Sequence, residues 1–224
     1  NLLICNHALF FSDLALKNSG AGFLPKYDHV VLDEAHSIED VAADHFGASI
    51  TEASVEYLLR SLVAASQRAH SAGFLQTVHS DGADPELVSQ CIKIVSRCPS
   101  ASHVFFDSLV LWSREKAPRN GRITSPCIFD NTLTDPLTEL GKHLLLLRES
   151  LVDNAEAAES GGYGQRAFDM ARTCSLLINQ DLAGCVYAVE GVSLRDTPSR
   201  PPKPALRAMA VDIAPVLKTL LFDA

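Results

Sequence analysis

The spacing of apolar residues divides this chain into a long helical middle and two ends that mix strand and helix patterns. Between residues 37 and 180 apolar side chains recur every three or four positions, which is the period of an amphipathic helix. The clearest stripes are Val55, Leu58, Leu59, Leu62 and Val63, and Leu137, Leu140, Leu144, Leu147 and Leu151, the latter widened by Leu145 and Leu146. This pattern predicts an almost wholly helical block.

Capping residues and helix breakers predict the ends of these helices. Side-chain oxygens that can cap a helix are supplied by Ser37, Thr51, Asp84 and Asp135, and proline follows the last two. Asp135 is expected to open the longest helix. Residues 69–83 have the composition of a loop, and Gly161 with Gly162 predicts a break before a last helix of the block. Between these, we expect separate helices over 84–95 and 101–116 and a short strand over 122–129.

Short apolar runs predict strands at both ends of the chain. Residues 2–5 and 30–32 read as buried strands with a helix between them, which is the repeating unit of a parallel sheet. Strand patterns return at 185–190 and 205–211, joined by an exposed proline-rich link, and Asp212 is placed to cap a final helix. The expected fold class is α/β with predominant helix, in which a large, mostly α-helical insertion interrupts a partial parallel sheet. The corresponding units are 1–36, 37–183 and 184–224.

The residues after the second run have the chemistry of a nucleotide-hydrolysis site. Asp33 and Glu34 directly follow Val30-Val31-Leu32, and side chains at the end of a parallel strand project into the crevice where such sheets bind ligands. An aspartate there can hold Mg²⁺ through its water shell, and a glutamate can orient or deprotonate the attacking water. His36 is placed to sense the γ-phosphate and transmit the nucleotide state. We therefore interpret this stretch as a Walker-B-type site.

Composition limits the classes of function. The chain has 224 residues and a net charge of −8, so any contact with nucleic acid needs a local basic patch. Its six cysteines show no C-x-x-C or zinc-like spacing, which favours a reducing, cytoplasmic compartment. No apolar run approaches the roughly 20 residues of a membrane span, and we expect no membrane contact. The chain starts without methionine and ends within a pattern, so we expect a fragment of a longer protein.

Four segments, in order, resemble one helicase family. They are Asn6-His7 after an apolar run, VVLDEAHSIED from Val30, VYAVE from Val186, and VDIAPVLKTLLF from Val211. They resemble the DinG/XPD-like branch of superfamily 2 DNA helicases, in which a helical arch domain interrupts the first RecA-like motor domain after the DEAH motif. The resemblance implies a RecA-like sheet, an arch that helps to enclose DNA, and an ATP-driven, nucleoid-associated helicase moving 5′ to 3′ on single-stranded DNA in replication, repair or recombination.

The resemblance also assigns roles by position. Asp33 would hold Mg²⁺ of the bound ATP, Glu34 would be the base for water, and His36 would couple nucleotide state to movement. Asn6 and His7 would give only structural support of the nucleotide or DNA side. The chain contains no G-x-x-x-x-G-K-[ST] sequence to cradle phosphates, so we expect the isolated chain to bind no cofactor and to lack ATPase activity. Many family members carry a 4Fe–4S cluster on four cysteines before the DEAH segment. Only Cys5 lies there, so the cluster region is expected either to precede this chain in the longer protein or to be absent from that protein.

Three alternatives stay open. The best basic and aromatic cluster is Trp112, Arg114, Lys116, Arg119 and Arg122, which predicts either a path for single-stranded DNA or a solvated helix end with a half-buried tryptophan. His7, His29, His36 and His45 lack ligand-like spacing, which favours ordinary imidazoles over a metal site. For the whole chain, the alternative to a helicase fragment is a helical protein-interaction module whose acidic residues have no catalytic role. Its protein partners are not predicted.

Overall fold

The computed structural model describes residues 2–18, 22–64, 72–78, 83–192 and 202–222. The helices are α1 (His7–Asn18), α2 (Ile38–Phe46), α3 (Glu52–Leu62), α4 (Phe74–Thr77), α5 (Pro85–Glu115), α6 (Thr134–Ser150), α7 (Asn154–Asn179) and α8 (Ala214–Leu217), and the strands are β1 (Ala48–Thr51), β2 (Arg122–Ile123), β3 (Cys185–Glu190) and β4 (Ala205–Ala210). A 3₁₀ turn over Ala35–Ser37 precedes α2, and a π-helical turn over Lys218–Phe222 follows α8. The expected α/β class with predominant helix is confirmed.

The sheet is antiparallel, so the expected parallel arrangement is wrong for the described residues. Its strand order is β1-β4-β3-β2, and each of its three pairings is antiparallel. The register aligns Ile50, Leu206 and Val189 in one row across three strands. All three side chains are buried, because alternate residues of a strand share one face and this face packs against the helices.

The two apolar runs expected as buried strands are not strands. Leu2 and Ile4 are 88% and 87% exposed, and Val31 is 94% exposed. An extended segment becomes a strand only when a neighbouring segment pairs with its backbone, and neither run has such a partner in the part of the chain that the structure describes. Both segments are apolar, as expected, but Leu2, Ile4 and Val31 are not buried.

Two of the four predicted caps, Thr51 and Asp84, are present. Asp135 does not cap α6, because it lies inside this helix, whose N-cap residue is Leu133. At Thr51 the hydroxyl accepts from the Ser54 N–H while Ser54 accepts from the Thr51 N–H, a reciprocal capping box. Asp84 caps α5 by accepting from the Glu86 N–H. Ser37 precedes α2 as expected, but its hydroxyl donates to the Glu34 carbonyl and does not cap the helix.

One helix replaces the two expected over 84–95 and 101–116. Helix α5 passes through Pro99 without a break, although proline removes one backbone hydrogen bond. Its buried face is continuous across that position and includes Ile94, Cys98, Phe105 and Leu109. Burial of this long apolar face offsets the local cost of proline, and tertiary packing therefore overrides the local signal. Helix α5, not α6, is the longest.

The expected break at Gly161 and Gly162 is also absent, because both glycines lie inside α7. Helices α6 and α7 pack antiparallel at close range, and the leucine stripe of α6 is buried as expected, whereas Leu146 is 49% exposed. A Cβ on Gly141 would lie 2.9 Å from the Phe168 ring and 3.1 Å from the Gly164 carbonyl oxygen. Small residues are therefore needed where the two backbones approach. The expected strand over 122–129 shrinks to β2.

Two hydrophobic clusters organise the described residues. The larger unites α3 to α7 with the sheet. The smaller joins both ends of the chain, because Phe10, Phe11 and Leu14 of α1 pack with Ala42 of α2 and with Ile213 and Leu217 near the C-terminal end. The boundaries at 36/37 and 183/184 stay a prediction. Residues 69–71, 79–82 and 196–201 of the expected loop and proline-rich link lie outside the described residues. No described helix is both long and apolar enough to span a bilayer.

Candidate functional site

The predicted acidic residues lie on an exposed turn rather than at the end of a strand. Asp33 and Glu34 form a bend, and Ala35–Ser37 continue it as the 3₁₀ turn that leads into α2. The Asp33 carboxylate accepts a hydrogen bond from the Glu34 N–H at 2.9 Å through one oxygen. Glu34 has φ 50° and ψ 48°, the left-handed conformation that few residues other than glycine adopt. We call residues Asp33–Ser37 the acidic turn.

Side chains of the acidic turn contact one another. A Glu34 carboxylate oxygen lies 3.2 Å from His36 Nδ1, with both side chains more than two-thirds exposed. Both the backbone N–H and the hydroxyl of Ser37 donate to the Glu34 carbonyl oxygen, each at 3.0 Å. These contacts close the turn and leave both carboxylates accessible to solvent. The structure thus brings Asp33, Glu34 and His36 together, as adjacent positions in sequence require.

Asn6 and His7 lie beside the acidic turn at the start of α1. The Asn6 side chain caps α1 by accepting from the Leu9 N–H at 2.8 Å. His7 Nδ1 lies 3.3 Å from the Ser37 hydroxyl oxygen, so the first turn of α1 contacts the residue that closes the acidic turn. The structural support of the nucleotide or DNA side that was assigned to this dipeptide stays a prediction.

Asp13 is a buried charged residue that the sequence reasoning missed. Its carboxylate accepts from the Phe23 and Leu24 N–H groups at 2.7 and 2.8 Å and pairs with the Lys17 ammonium at 2.8 Å. Lys17 also lies over the Tyr27 ring, 4.2 Å from its centroid. Asp13 and Lys17 are four positions apart, which could have suggested a helical ion pair, but no local signal indicates the two backbone donors.

The pKa of Asp13 lies below its ordinary value. Burial alone would raise the pKa of this carboxyl, but the hydrogen bonds from Leu24, Lys17 and Phe23 stabilise the charged form and outweigh burial. For Lys17 burial likewise opposes the charge, and the contacts with Asp13 and Tyr27 outweigh it and raise the pKa. The pair is therefore charged at neutral pH. It fixes the segment that leads towards the acidic turn.

The donor set of the acidic turn fits Mg²⁺ held through water. Magnesium keeps several waters and takes one or two carboxylates together with nucleotide phosphates. Asp33 uses one carboxylate oxygen for the Glu34 N–H, and its exposed side chain leaves the other available for a metal-bound water. The described residues form no cluster of three or more histidine, cysteine, aspartate or glutamate side chains that could hold a metal by themselves. Phosphates would have to complete the coordination.

The basic cluster lies elsewhere, at the end of α5, in the turn after it and at the start of β2. Trp112 is half-buried and packs edge to face on Phe129, with ring centroids 5.6 Å apart. All four cations of the cluster are exposed: Arg114, Lys116, Arg119 and Arg122. The turn is closed by a hydrogen bond from the Gly121 N–H to the Pro118 carbonyl, and Gly121 has φ +66°, which favours glycine. Part of the Trp112 side chain is therefore buried against the core, whereas the four cations face solvent.

The remaining predicted histidines are dispersed. His29 is exposed, and His45 Nδ1 lies 3.3 Å from the Ser12 hydroxyl on α1.

All six cysteines are free thiols, and Cys91, Cys98 and Cys174 are buried. Burial raises the pKa of the first two to about 11 and that of Cys174 to about 12, so all three stay protonated and unreactive at neutral pH.

Fold and site together define a mainly helical α/β protein with an exposed Asp-Glu turn held against its first helix. Comparison with models of known protein families finds no match. Among curated proteins, the ATP-dependent DNA helicase YoaA of Haemophilus influenzae is 44% identical over 52 residues, and YoaA of Escherichia coli is 38% identical over 52 residues. Each alignment covers 23% of this chain and 8% of the relative. Over that short region the chain is similar to ATP-dependent DNA helicases.

Proposed function

We propose that this chain is part of an ATP-dependent DNA helicase and contributes Asp33 and Glu34 to ATP hydrolysis. The similarity to two ATP-dependent DNA helicases carries the proposal. The exposed Asp-Glu pair adds support, because ATP-driven motors need one carboxylate for the magnesium and one to activate water. The relatives are far longer than the matched region, so their activity is extended to this chain only as a proposal.

In this proposal each residue of the acidic turn has one task. Asp33 holds a magnesium-bound water through its available carboxylate oxygen, and the metal supplies charge neutralisation for the phosphates when bound. Glu34 accepts a proton from the attacking water at its exposed carboxylate. His36, 3.2 Å from Glu34, restricts the orientation of that carboxylate and reports its state to neighbouring parts of the motor.

Glu34→Gln tests the assignment in the helicase that contains this sequence. Loss of a general base lowers the rate of ATP hydrolysis by about 100-fold or more, and we expect ATP binding to be retained. The matched control is Glu39→Gln, an exposed carboxylate in the first turn of α2, which should leave hydrolysis unchanged. Normal turnover by Glu34→Gln would exclude the proposed role.

The exposed apolar runs support a larger motor around the acidic turn. Leu2, Ile4 and Val31 are almost fully exposed, and contiguous exposed apolar residues mark surfaces that another part of a protein covers. We propose that residues 2–5 and 30–32 pair with further strands of a RecA-like domain in the longer protein. Residues 37–183 would then form the arch, with 184–224 returning to the motor, and translocation would run 5′ to 3′.

We propose that the exposed cations of the basic cluster, which runs from the end of α5 to the start of β2, contact single-stranded DNA. Arg119 and Arg122 offer charge for phosphates next to the partly buried Trp112. The double variant Arg119→Glu and Arg122→Glu should weaken binding of the helicase to single-stranded DNA and flatten its salt dependence. A control is Lys93→Glu, exposed on the same helix about 30 Å from Arg114 by the helical rise. Equal affinity of the double variant and wild type would assign the cluster to the solvated surface.

A further inference from the structure

The contact between α1 and the acidic turn joins His7, Ser37 and Glu34. Ser37 has one hydroxyl proton, and its oxygen lies 3.0 Å from the Glu34 carbonyl oxygen, to which it can donate. With that proton so directed, the Ser37 oxygen accepts from His7 Nδ1, 3.3 Å away, in the tautomer that carries its proton on Nδ1. The chain of contacts runs from the His7 N–H to the Ser37 hydroxyl and on to the Glu34 carbonyl.

The helix that carries His7 is well anchored. Phe10, Phe11 and Leu14 are buried in the smaller cluster, Asn6 caps the helix, and Asp13 binds the segment before the acidic turn through two backbone N–H groups. Groups on a rigid, packed element hold their partners more accurately than groups on a loop. His7 therefore presents its N–H from a fixed position.

Glu34 needs such support because of its backbone conformation. A left-handed conformation is unfavourable for a residue with a side chain, and the structure around it must compensate. The Glu34 carbonyl accepts two hydrogen bonds, both from Ser37. Ser37 is half-buried and in turn contacts His7. Loss of the His7 contact would loosen the residue that keeps Glu34 in this conformation.

We propose that His7 is a positioning residue for Glu34 and acts through the Ser37 hydroxyl. The inference rests on the proposed role of Glu34 in ATP hydrolysis. His7 touches neither nucleotide nor metal in this scheme. It sets the direction of the Glu34 carboxylate by fixing the backbone of the acidic turn, so its loss lowers the rate of hydrolysis and leaves ATP affinity unchanged.

The chain provides a closely matched control. Ser12 and Ser37 each donate to a backbone carbonyl, at 2.8 and 3.0 Å, and each lies 3.3 Å from a histidine Nδ1. Ser12 joins α1 to His45, whereas Ser37 joins α1 to the acidic turn. Ser37→Ala and Ser12→Ala therefore each remove a hydroxyl that contacts one backbone carbonyl and one histidine. Only Ser37→Ala removes a contact to Glu34. His7→Asn is the rescue variant, because an asparagine side chain retains an N–H donor at a comparable distance from the backbone.

The first measurement uses the 224-residue chain itself and needs no activity. Amide hydrogen exchange of Ser37 reports the bond from its N–H to the Glu34 carbonyl. Loss of one supporting hydrogen bond of about 1 kcal/mol predicts exchange about fivefold faster in His7→Ala. His7→Asn should restore protection, and Ser12→Ala should leave it unchanged. Wild-type protection in His7→Ala would overturn the inference.

The second measurement uses ATP hydrolysis by the helicase that contains this sequence. We expect His7→Ala to lower kcat about fivefold and Ser37→Ala to lower it at least as much, with KM for ATP unchanged. The double variant should be no slower than Ser37→Ala, because His7 acts through the Ser37 hydroxyl. His7→Asn should recover kcat. If Glu34→Gln abolishes hydrolysis while His7→Ala and Ser37→Ala match wild type, the positioning role is wrong and the proposed function stands. If Glu34→Gln stays active, the proposed function fails, and the positioning role fails with it whatever the exchange rates are.

Discussion

At the scale of single residues, the strongest prediction is the loss of stability on substitution of Asp13. Its buried carboxylate satisfies two backbone N–H groups and the Lys17 ammonium. Asp13→Asn keeps an oxygen for the backbone donors but removes the charge that balances Lys17 and places an amide N–H against the ammonium. Disrupting a buried ion pair on one side costs about 3 kcal/mol, so we expect the free energy of unfolding in denaturant to fall by about that amount.

The pH dependence of this effect has a definite sign. The pKa of Asp13 is lower in the folded chain than its ordinary value of 3.8, so the unfolded state binds the proton first as pH falls. The stabilisation is therefore complete above the ordinary pKa and is lost as pH falls through the folded value. The stability difference between wild type and Asp13→Asn should shrink below about pH 4. Asp169→Asn, an exposed aspartate on α7, is the control and should show neither effect.

Thiol reactivity is the second prediction at this scale. Cys127 is exposed, whereas Cys91, Cys98 and Cys174 are buried, and burial raises the pKa of these three thiols to about 11 or 12. At pH 8 a thiol reagent should modify Cys127 fastest and these three only on unfolding, because the thiolate is the reactive form. Mass spectrometry of the partly labelled chain identifies the sites. Rapid native labelling of Cys98 would contradict the buried core of α5.

At the residue scale, sequence adjacency alone brings Asp33, Glu34 and His36 together, whereas their expected place at the end of a buried strand was wrong. The roles assigned to these three residues stay a prediction. Asp13 was missed because its partners Phe23 and Leu24 are ten and eleven positions away, in a segment whose path depends on how α1 packs. A buried carboxylate is recognised only once its donors are in place.

At the scale of elements, the contact between α6 and α7 depends on glycine at some positions and not at others. Gly141 is buried, and a Cβ there would lie 2.9 Å from the Phe168 ring. Gly162 is exposed, and a Cβ there would meet nothing within 4 Å. Leucine favours a helix over glycine by about 1 kcal/mol at either site. Gly162→Leu should therefore stabilise the chain slightly, whereas Gly141→Leu adds a clash of about 1–3 kcal/mol and should destabilise it.

The difference in the free energy of unfolding between Gly141→Leu and Gly162→Leu measures the cost of the clash, because the gain in helix propensity is the same in both variants. Equilibrium unfolding by circular dichroism measures it, with fluorescence of the single tryptophan, Trp112, as a second probe. If Gly141→Leu were as stable as Gly162→Leu, the two helices could not approach as closely as the structure has them.

Element prediction failed where packing overrides local signals. Pro99 and the pair Gly161 and Gly162 predict helix ends, yet α5 and α7 run through them. In α5 a continuous buried face extends across Pro99. In α7 the helix packs against α6 on both sides of the glycine pair, through buried Ser160 and Gly164, and glycine at 141 and 164 permits the close contact. Conversely, the leucine stripe of α6 and the cap at Thr51 were predicted correctly, because periodicity and capping are properties of a single helix.

At the scale of the whole molecule, the two ends of the chain converge. Residues of α1 and α2 share one cluster with Ile213 and Leu217, although more than 160 positions separate them in sequence. The sequence pattern predicts strands and helices at both ends of the chain and helices between them. The packing of the two ends against each other agrees with that order. Residues 2–5 and 30–32 do not form the expected strands among the described residues of this chain, because strand pairing depends on a partner and local composition does not supply one.

Substitution of Val31 tests whether a larger motor domain covers this surface. Val31 is 94% exposed, so Val31→Asp should change the stability of the 224-residue chain by less than about 0.5 kcal/mol. In the longer helicase that we propose, Val31 would lie in a paired, buried strand, where an unpaired carboxylate costs several kcal/mol. There the variant should lower the melting temperature and ATP hydrolysis together. Val152→Asp, 74% exposed and next to α6, is the control and should be neutral in both proteins. A Val31→Asp helicase with wild-type melting temperature would show that no strand covers this segment, and the motor interpretation of residues 30–32 would be wrong.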